Sequence, residues 1–380
     1  MTRNFSRSAF GAALLATVVT GCAGDGAKRT TPTVGERIPV LTRIESGAKV
    51  DPSLAGVDVV LPAATVNADW SQVSGTASKA YGHLALAENP TRIWSADIAG
   101  SSNRARLAAA PVVGGGKLVA VDTTGVVHAL DANSGASLWT HRMDIPGNLS
   151  GSAFGGGASI DGNRVFATNG VGEVVALDAE TGKPDWEVLT IDKERPYTIT
   201  GAPRVVDGRV LIGNGGAELG VRGYLTAYDA NSGDKIWRFY TVPNPNKQPD
   251  NEASDSAFVD VGNVTWGDEG SWVTDGGGGT VWDSIVYDEV NDQIIFGVGN
   301  GSPWNRNFRD PAGGDNLFLS SIVAVDAATG KYRWHFQTTP GDNWDYTATQ
   351  SIILADMPLG ENGASVRVAM QAPKNGFFYV

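Results

Sequence analysis

Apolar and polar residues alternate in short runs along most of this chain, and glycine breaks the runs at regular intervals. KLVAVDTTGVVHALD (residues 117–131) and RVFATNGVGEVVALD (residues 164–178) show the pattern. Alternation of period two puts successive side chains on opposite faces of an extended strand, and a central glycine permits the tight reversal of a hairpin. These runs lead into one repeated motif: ALDANSGASLW, ALDAETGKPDW, AYDANSGDKIW and AVDAATGKYRW. Its Asp residues stand at 131, 178, 229 and 326, with gaps of 47, 51 and 97. Asp-Ala-x-Ser/Thr-Gly is a turn, because Asp accepts nearby backbone N–H groups and Gly supplies positive φ. The tryptophan that follows (Trp139, Trp186, Trp237, Trp334) opens the next strand, where it can pack between neighbouring sheets. Short strands at a period of about 48 predict an all-β chain of β-propeller blades. The gap of 97 reads as two units, one of which has lost the motif, with VYDEVNDQIIFGVGN (residues 286–300) as its remnant. Thr65 to Val380 then holds roughly six to seven blades. The last residues, GFFYV, lie inside a predicted strand, so the ring is expected to be incomplete or to close with fewer blades.

The first residues break the pattern. Arg3 and Arg7 precede an apolar run, Ala9–Val19, that is too short to span a bilayer. It ends in Val19-Thr20-Gly21-Cys22, which looks like a bacterial lipobox. Residues 1–22 are therefore expected to be a lipoprotein signal peptide, with Cys22 lipidated. Residues 23–64, rich in Pro, Gly, Thr and Lys, are expected to be a flexible tether. Export to the periplasm follows, with membrane contact through the lipid alone. Ala23, where inner-membrane retention in enteric bacteria uses Asp, favours the outer membrane. Cys22 is the only cysteine, so no disulfide and no Cys-x-x-Cys-His haem attachment is expected in these residues. The four histidines have no zinc spacing. A net charge of −12 argues against a nucleic-acid partner.

Candidate chemistry gathers after residue 213. GNGGAELGVRG (residues 213–223), GGGGTVWD (residues 276–283), GVGNGSPWN (residues 297–305) and GDNWDYTATQ (residues 341–350) are four separate glycine-rich or acidic turns. Glu218, Asn300 and Asp345 can supply oxygen ligands to a hard cation such as Ca²⁺. Trp282 can supply a flat face for an aromatic cofactor.

These residues carry a family resemblance. With RPYTITGAPRVVDGRVLIGNGG, GDNLFLSSIVAVDAATGKYRWHFQTTPGDNWDY and MQAPKNGFFYV, the stretch from about Arg195 to Val380 resembles the quinoprotein alcohol dehydrogenases, which use pyrroloquinoline quinone (PQQ). The resemblance implies an eight-bladed propeller that oxidises a small alcohol by hydride transfer to PQQ, with Ca²⁺ as Lewis acid and an external electron acceptor such as a cytochrome. It implies that Glu218, Asn300 and Asp345 hold the metal and that Asp345 is also the base. It places Thr200, Gly215, Gly216, Ala217, Trp282 and Lys374 on the cofactor, Trp282 by stacking and Lys374 at the quinone oxygens. Thr347 stands where lanthanide-dependent relatives carry a further Asp, which implies the calcium type.

The earlier stretch, from Met1 to about Trp186, is similar to a different family, the propeller lipoprotein of the outer-membrane β-barrel assembly machine. On that resemblance residues 65–187 and 188–380 form two sets of blades with different relatives, meeting at ALDAETGKPDW. The dehydrogenases' vicinal disulfide beneath the cofactor has no cysteines here to form it. The alternative function is thus a non-enzymatic, lipid-anchored scaffold with outer-membrane assembly partners. The motifs after Arg195 are more numerous and more specific, and favour the dehydrogenase.

Overall fold

The computed structural model describes residues 51–380; the signal peptide, Cys22 and most of the tether lie outside the described residues. Residues 51–60 belong to a separate unit, in which a single turn, Pro52–Leu54, is capped by Asp51. No described helix is long and apolar enough to cross a membrane.

The body from residue 61 onward is a series of antiparallel sheets. Blade I contains β1 (Val112–Gly114), β2 (Lys117–Val121), β3 (Val126–Asp131) and β4 (Ser137–Arg142). Blade II contains β5 (Gly157–Asp161), β6 (Arg164–Thr168), β7 (Glu173–Asp178) and β8 (Pro184–Leu189). Blade III contains β9 (Arg204–Val206), β10 (Arg209–Gly213), β11 (Tyr224–Asp229) and β12 (Lys235–Tyr240). Blade IV contains β13 (Ile285–Asp288), β14 (Gln293–Gly297), β15 (Ser321–Asp326) and β16 (Tyr332–Gln337). A two-stranded sheet, β17 (Ile353–Met357) with β18 (Val366–Met370), begins a fifth blade.

The repeat motif does the same work in every full blade. Asp131, Asp178, Asp229 and Asp326 each accept backbone N–H groups of the turn that follows, at 2.8–3.1 Å. The bulge after the third strand's alanine falls at the same place in all four blades. Each motif tryptophan stands across from that alanine, the small residue leaving room for the indole. The indoles of Trp139 and Trp237 are buried, and those of Trp186 and Trp334 partly so. Apolar residues of adjacent blades fill the space between sheets, as in the cluster of Val206, Leu211, Leu225, Phe239, Ile294, Phe296 and Val323.

The structure corrects two readings of the repeat: residues 65–380 hold four full blades and the first two strands of a fifth among the described residues, not six to seven. Between Asp229 and Asp326 there is a single blade, and residues 286–300 are its first two strands rather than the remnant of a lost unit. The extra length lies in two insertions. Residues 241–284 connect β12 to β13, and residues 298–320 connect β14 to β15. The first insertion has its own small core, in which Trp266 and Trp272 pack at 5.0 Å between centroids.

An element invisible in the strand pattern ties the blades together. Residues 70–77 run along the first strands of blades I to IV. Trp70 pairs with Val113, the carbonyl of Ser71 accepts Ile160 N–H, Gln72 bonds both backbone groups of Val205, and the carbonyl of Ala77 accepts Tyr287 N–H. Each of these contacts lies on the first strand of its blade.

Candidate functional site

Strand order alone sorts the loops onto two faces. In an antiparallel four-stranded blade, the first-to-second and third-to-fourth connections leave at one end. The second-to-third connection and the crossing to the next blade leave at the other. The Asp turns are third-to-fourth connections and therefore lie on the first face. Every sequence-predicted site residue of the body lies on the opposite face. Gly215, Gly216, Ala217 and Glu218 are in the β10–β11 connection, Asn300 is in the β14–β15 connection, and Lys374 follows β18. Thr200, Trp282 and Asp345 are in the crossings from β8, β12 and β16 to the next blade.

Backbone contacts join these loops around the face. Gly215 pairs with Thr198. A Cβ on Gly213 would sit 1.8 Å from the carbonyl oxygen of Val281, so only glycine allows this approach of β10 to the Trp282 loop. Gly278 pairs with Arg222 on one side and Gly301 on the other, which places GGGG between the Glu218 and Asn300 loops. Gly279 N–H donates to the carbonyl of Asn300 at 2.9 Å. The four glycines, Gly276–Gly279, all have positive φ, 68–86°.

Arg309 is the organising residue that sequence reasoning missed. It is fully buried and its guanidinium donates to the carbonyls of Pro303, Trp304 and Asp342 at 2.6–2.9 Å, and to Asn316 Oδ1 at 3.2 Å. One cation thus fastens the Asn300 loop to the Asp345 loop. A Cβ on Gly301 would meet the guanidinium at 2.5 Å, so the glycine after Asn300 makes room for it. Burial pulls the guanidinium down to about 10. Asp342, also buried, accepts Trp344 N–H, and burial raises its carboxyl above the usual range. The sequence around Arg309, RNFRD, offers no periodic or motif signal for this role.

The polar candidates differ in what they hold. Glu218 is exposed and makes no hydrogen bond or ion pair among the described residues; it lines a cavity of about 670 Å³ with Arg195, Asp275 and, from the Asn300 loop, Ser302 and Pro303. Asn300 donates its amide N–H to the carbonyl of Gly301 at 3.0 Å, which leaves Oδ1 uncommitted. Asp345 is half-buried, and its Oδ2 receives Lys374 Nζ at 2.6 Å. Its Oδ1 is free among the described residues. The described residues contain no group of three His, Cys, Asp or Glu fit to hold a metal. The candidate trio has two carboxylates and one amide, an all-oxygen set whose chemistry fits Ca²⁺.

Trp282 is 39% exposed, whereas Trp266 and Trp272 are buried. Its neighbour Asp283 lies 3.8 Å from Lys79, whose ammonium is buried and pulled down to about 8 by burial first and by Arg204 second. Arg204 donates to the carbonyl of Val73. Two cations and a carboxylate therefore support the loop that presents the indole. Trp304 and Trp344 are also exposed on this face, with centroids 6.4 Å apart.

The family profile of the PQQ-type glucose/ethanol/alcohol dehydrogenase β-propeller domain matches residues 91–380. That match starts ahead of blade I, well upstream of the segment that carries the sequence resemblance, and takes in blades I and II. An alcohol dehydrogenase (quinone), dehydrogenase subunit, of Gluconobacter oxydans is 48% identical over 280 residues, 71% of this chain and 37% of the relative. A quinohemoprotein alcohol dehydrogenase of Pseudomonas putida is 50% identical over 278 residues, 72% of this chain and 38% of the relative. The crystal structure of the quinohemoprotein alcohol dehydrogenase from Comamonas testosteroni superposes with a TM-score of 0.70 at 38% identity, covering 82% of this chain and 47% of that one. The chain thus spans less than half the length of these relatives. On the profile match and these identities, this chain belongs to the PQQ-dependent glucose/ethanol/alcohol dehydrogenase β-propeller family.

Proposed function

We propose that this chain is the propeller part of an exported, PQQ- and Ca²⁺-dependent alcohol dehydrogenase. The observation that supports this best is the gathering of all nine candidate residues of the body on one face of a propeller whose relatives are named quinone alcohol dehydrogenases. Bound PQQ supplies the hydride acceptor, and bound Ca²⁺ supplies Lewis acidity.

This chain's own residues have separate tasks in the proposal. Glu218, Asn300 and Asp345 offer uncommitted oxygens to the metal. Trp282 offers its exposed indole face to the cofactor, and Thr200, Gly215, Gly216 and Ala217 line the rim. Asp345 Oδ1 takes the alcohol proton. Lys374, which donates to Asp345 Oδ2 here, would hold a cofactor oxygen with its ammonium when PQQ is bound. The substrate is a small alcohol, and electrons leave to a separate acceptor such as a cytochrome. In the same proposal Cys22 carries the lipid that holds the periplasmic body to the outer membrane. The family match does not favour the scaffold alternative.

The test is a titration with PQQ and Ca²⁺ followed by indole fluorescence, then dye-linked alcohol oxidation. The proposal expects quenching that needs both additives and is lost in Trp282→Ala, while Asp345→Asn keeps binding and loses turnover. Quenching unchanged by Trp282→Ala, or turnover that survives Asp345→Asn, contradicts it.

A further inference from the structure

The segment that runs along the first strands of the blades ends in a turn that carries Lys79. Its N–H donates to the carbonyl of Thr76 at 3.2 Å, and its φ is 54°, a left-handed conformation uncommon for a residue with a side chain. The Lys79 side chain is 4% exposed, and its ammonium has no hydrogen-bond partner among the described residues. A buried ammonium without hydrogen bonds is costly and persists only where neighbouring charge offsets the cost.

The charges that face Lys79 come from several elements. Asp283, in the crossing from β12 to β13, lies 3.8 Å away, beyond hydrogen-bond reach, with its side chain 48% exposed. Arg204 of β9 is buried and repels the ammonium. Asp356 of β17 and Arg367 of β18 pair with each other at 3.0 Å, and with Tyr81 they line a cavity of about 580 Å³ that Lys79 borders. One half-exposed carboxylate thus answers two buried cations.

The residues around Trp282 are held in different ways. A Cβ on Gly201 would lie 2.5 Å from the carbonyl oxygen of Trp282, so the crossing from β8 to β9 packs directly on that backbone. Ser284 Oγ donates to the Gln350 carbonyl and accepts Ile352 N–H at 3.0 Å. Asp283, between them, is held by charge alone, through its ion pair with Lys79.

We propose that Lys79 is the positioning residue for Trp282. Its charged ammonium draws Asp283 inward, and Asp283, next in the chain, sets where the indole face stands. When the amine gives up its proton, the pull ends and the indole is released. Burial first, and Arg204 second, bring that proton loss down to about 8. A residue of the stretch that resembles the assembly lipoprotein thereby serves a residue of the dehydrogenase motifs. The tie is independent of what Trp282 binds; its consequence for PQQ rests on the function proposed above.

The measurement is fluorine NMR of the full 380-residue chain labelled with fluorotryptophan, with the Trp282 resonance assigned by its loss in Trp282→Phe. From about pH 6.5 to about pH 9.5 that resonance should shift, with a midpoint at about 8. Lys79→Arg, charged throughout, should hold it near its low-pH position, and Lys79→Met, never charged, near its high-pH position. A resonance that stays still in the parent chain, or that still moves in Lys79→Met, overturns the proposal. Quenching by PQQ with Ca²⁺ reads the consequence: affinity should fall roughly threefold to tenfold from the low to the high pH in the parent and stay level in Lys79→Arg. A moving resonance with no quenching at either pH supports the role of Lys79 and counts against the cofactor reading alone. A moving resonance with equal affinity at both pH values overturns the link from Lys79 to the cofactor.

Discussion

Blades I and II differ from blades III and IV at the same point of the same frame. In blade I the turn from the second to the third strand is closed by Asp122, whose carboxylate accepts Thr124 and Val126 N–H. In blade II Asn169 does the same with Val171 and Glu173. Blade III retains the device: Asn214 Oδ1 accepts Tyr224 N–H at 2.8 Å. Between these two residues, however, lies the segment 215–223 that carries Glu218. Blade IV opens the same connection to residues 298–320, and the crossing between III and IV to residues 241–284. Glu218 thus sits in an insertion made between the two ends of a retained anchor, and Trp282 and Asn300 sit in the two lengthened connections of blade IV, while the Asp turns on the other face are the same in both pairs. This frame separates stability from chemistry: Asp turns on one face, function in lengthened loops on the other.

That separation predicts opposite behaviour for two tryptophans. Trp139→Ala removes a buried indole and its hydrogen bond to the Ala179 carbonyl, and should cost about 3–5 kcal/mol in denaturant unfolding. Trp282→Ala removes a partly exposed indole and should cost under about 1 kcal/mol, while abolishing the cofactor-dependent fluorescence change. Equal destabilisation by the two would break the comparison.

Arg309→Met tests whether the expanded loops have their own support. It leaves Asn316 Oδ1 and the carbonyls of Pro303, Trp304 and Asp342 without their donor, and should cost about 3 kcal/mol. The loss should emerge as local opening at residues 298–309 and 342–346, seen by limited proteolysis, before blades I and II respond.

A smaller effect is expected on the plain side. Burial pushes the Glu173 carboxyl up to about 7, helped by the charges of Glu187 and Asp144. A carboxyl raised above its unfolded value near 4.5 costs nothing at low pH and destabilises progressively as pH rises from that value through 7. Glu173→Gln, which keeps the size and the contact to Asn169, should therefore raise the unfolding free energy by about 1–3 kcal/mol at pH 8 and change it little at pH 4. A gain that is equal at both pH values would contradict the assigned cause.

Much of this arrangement was legible in the sequence, for identifiable reasons. The blades show because alternation, the Asp turn and the Trp recur at one spacing, and each copy folds by local rules. The number of units between Asp229 and Asp326 was misread because residue spacing cannot tell an added blade from an expanded loop. Arg309, Lys79 and Arg204 were missed because a buried cation leaves no pattern in the residues around it. The candidate site residues stood out through motif order, and their placement on one face follows from strand topology.

The most direct test of this division of labour is hydrogen exchange on the whole chain, with and without PQQ and Ca²⁺ together. Ligand bound to the expanded loops should slow exchange at residues 214–223, 276–284, 298–309 and 342–346. The tight turns at residues 122–126 and 169–173 should exchange at the same rate in both states. Protection spread evenly over all blades, or confined to those tight turns, would contradict the assignment of chemistry to the loops of blades III and IV and the crossing that follows them.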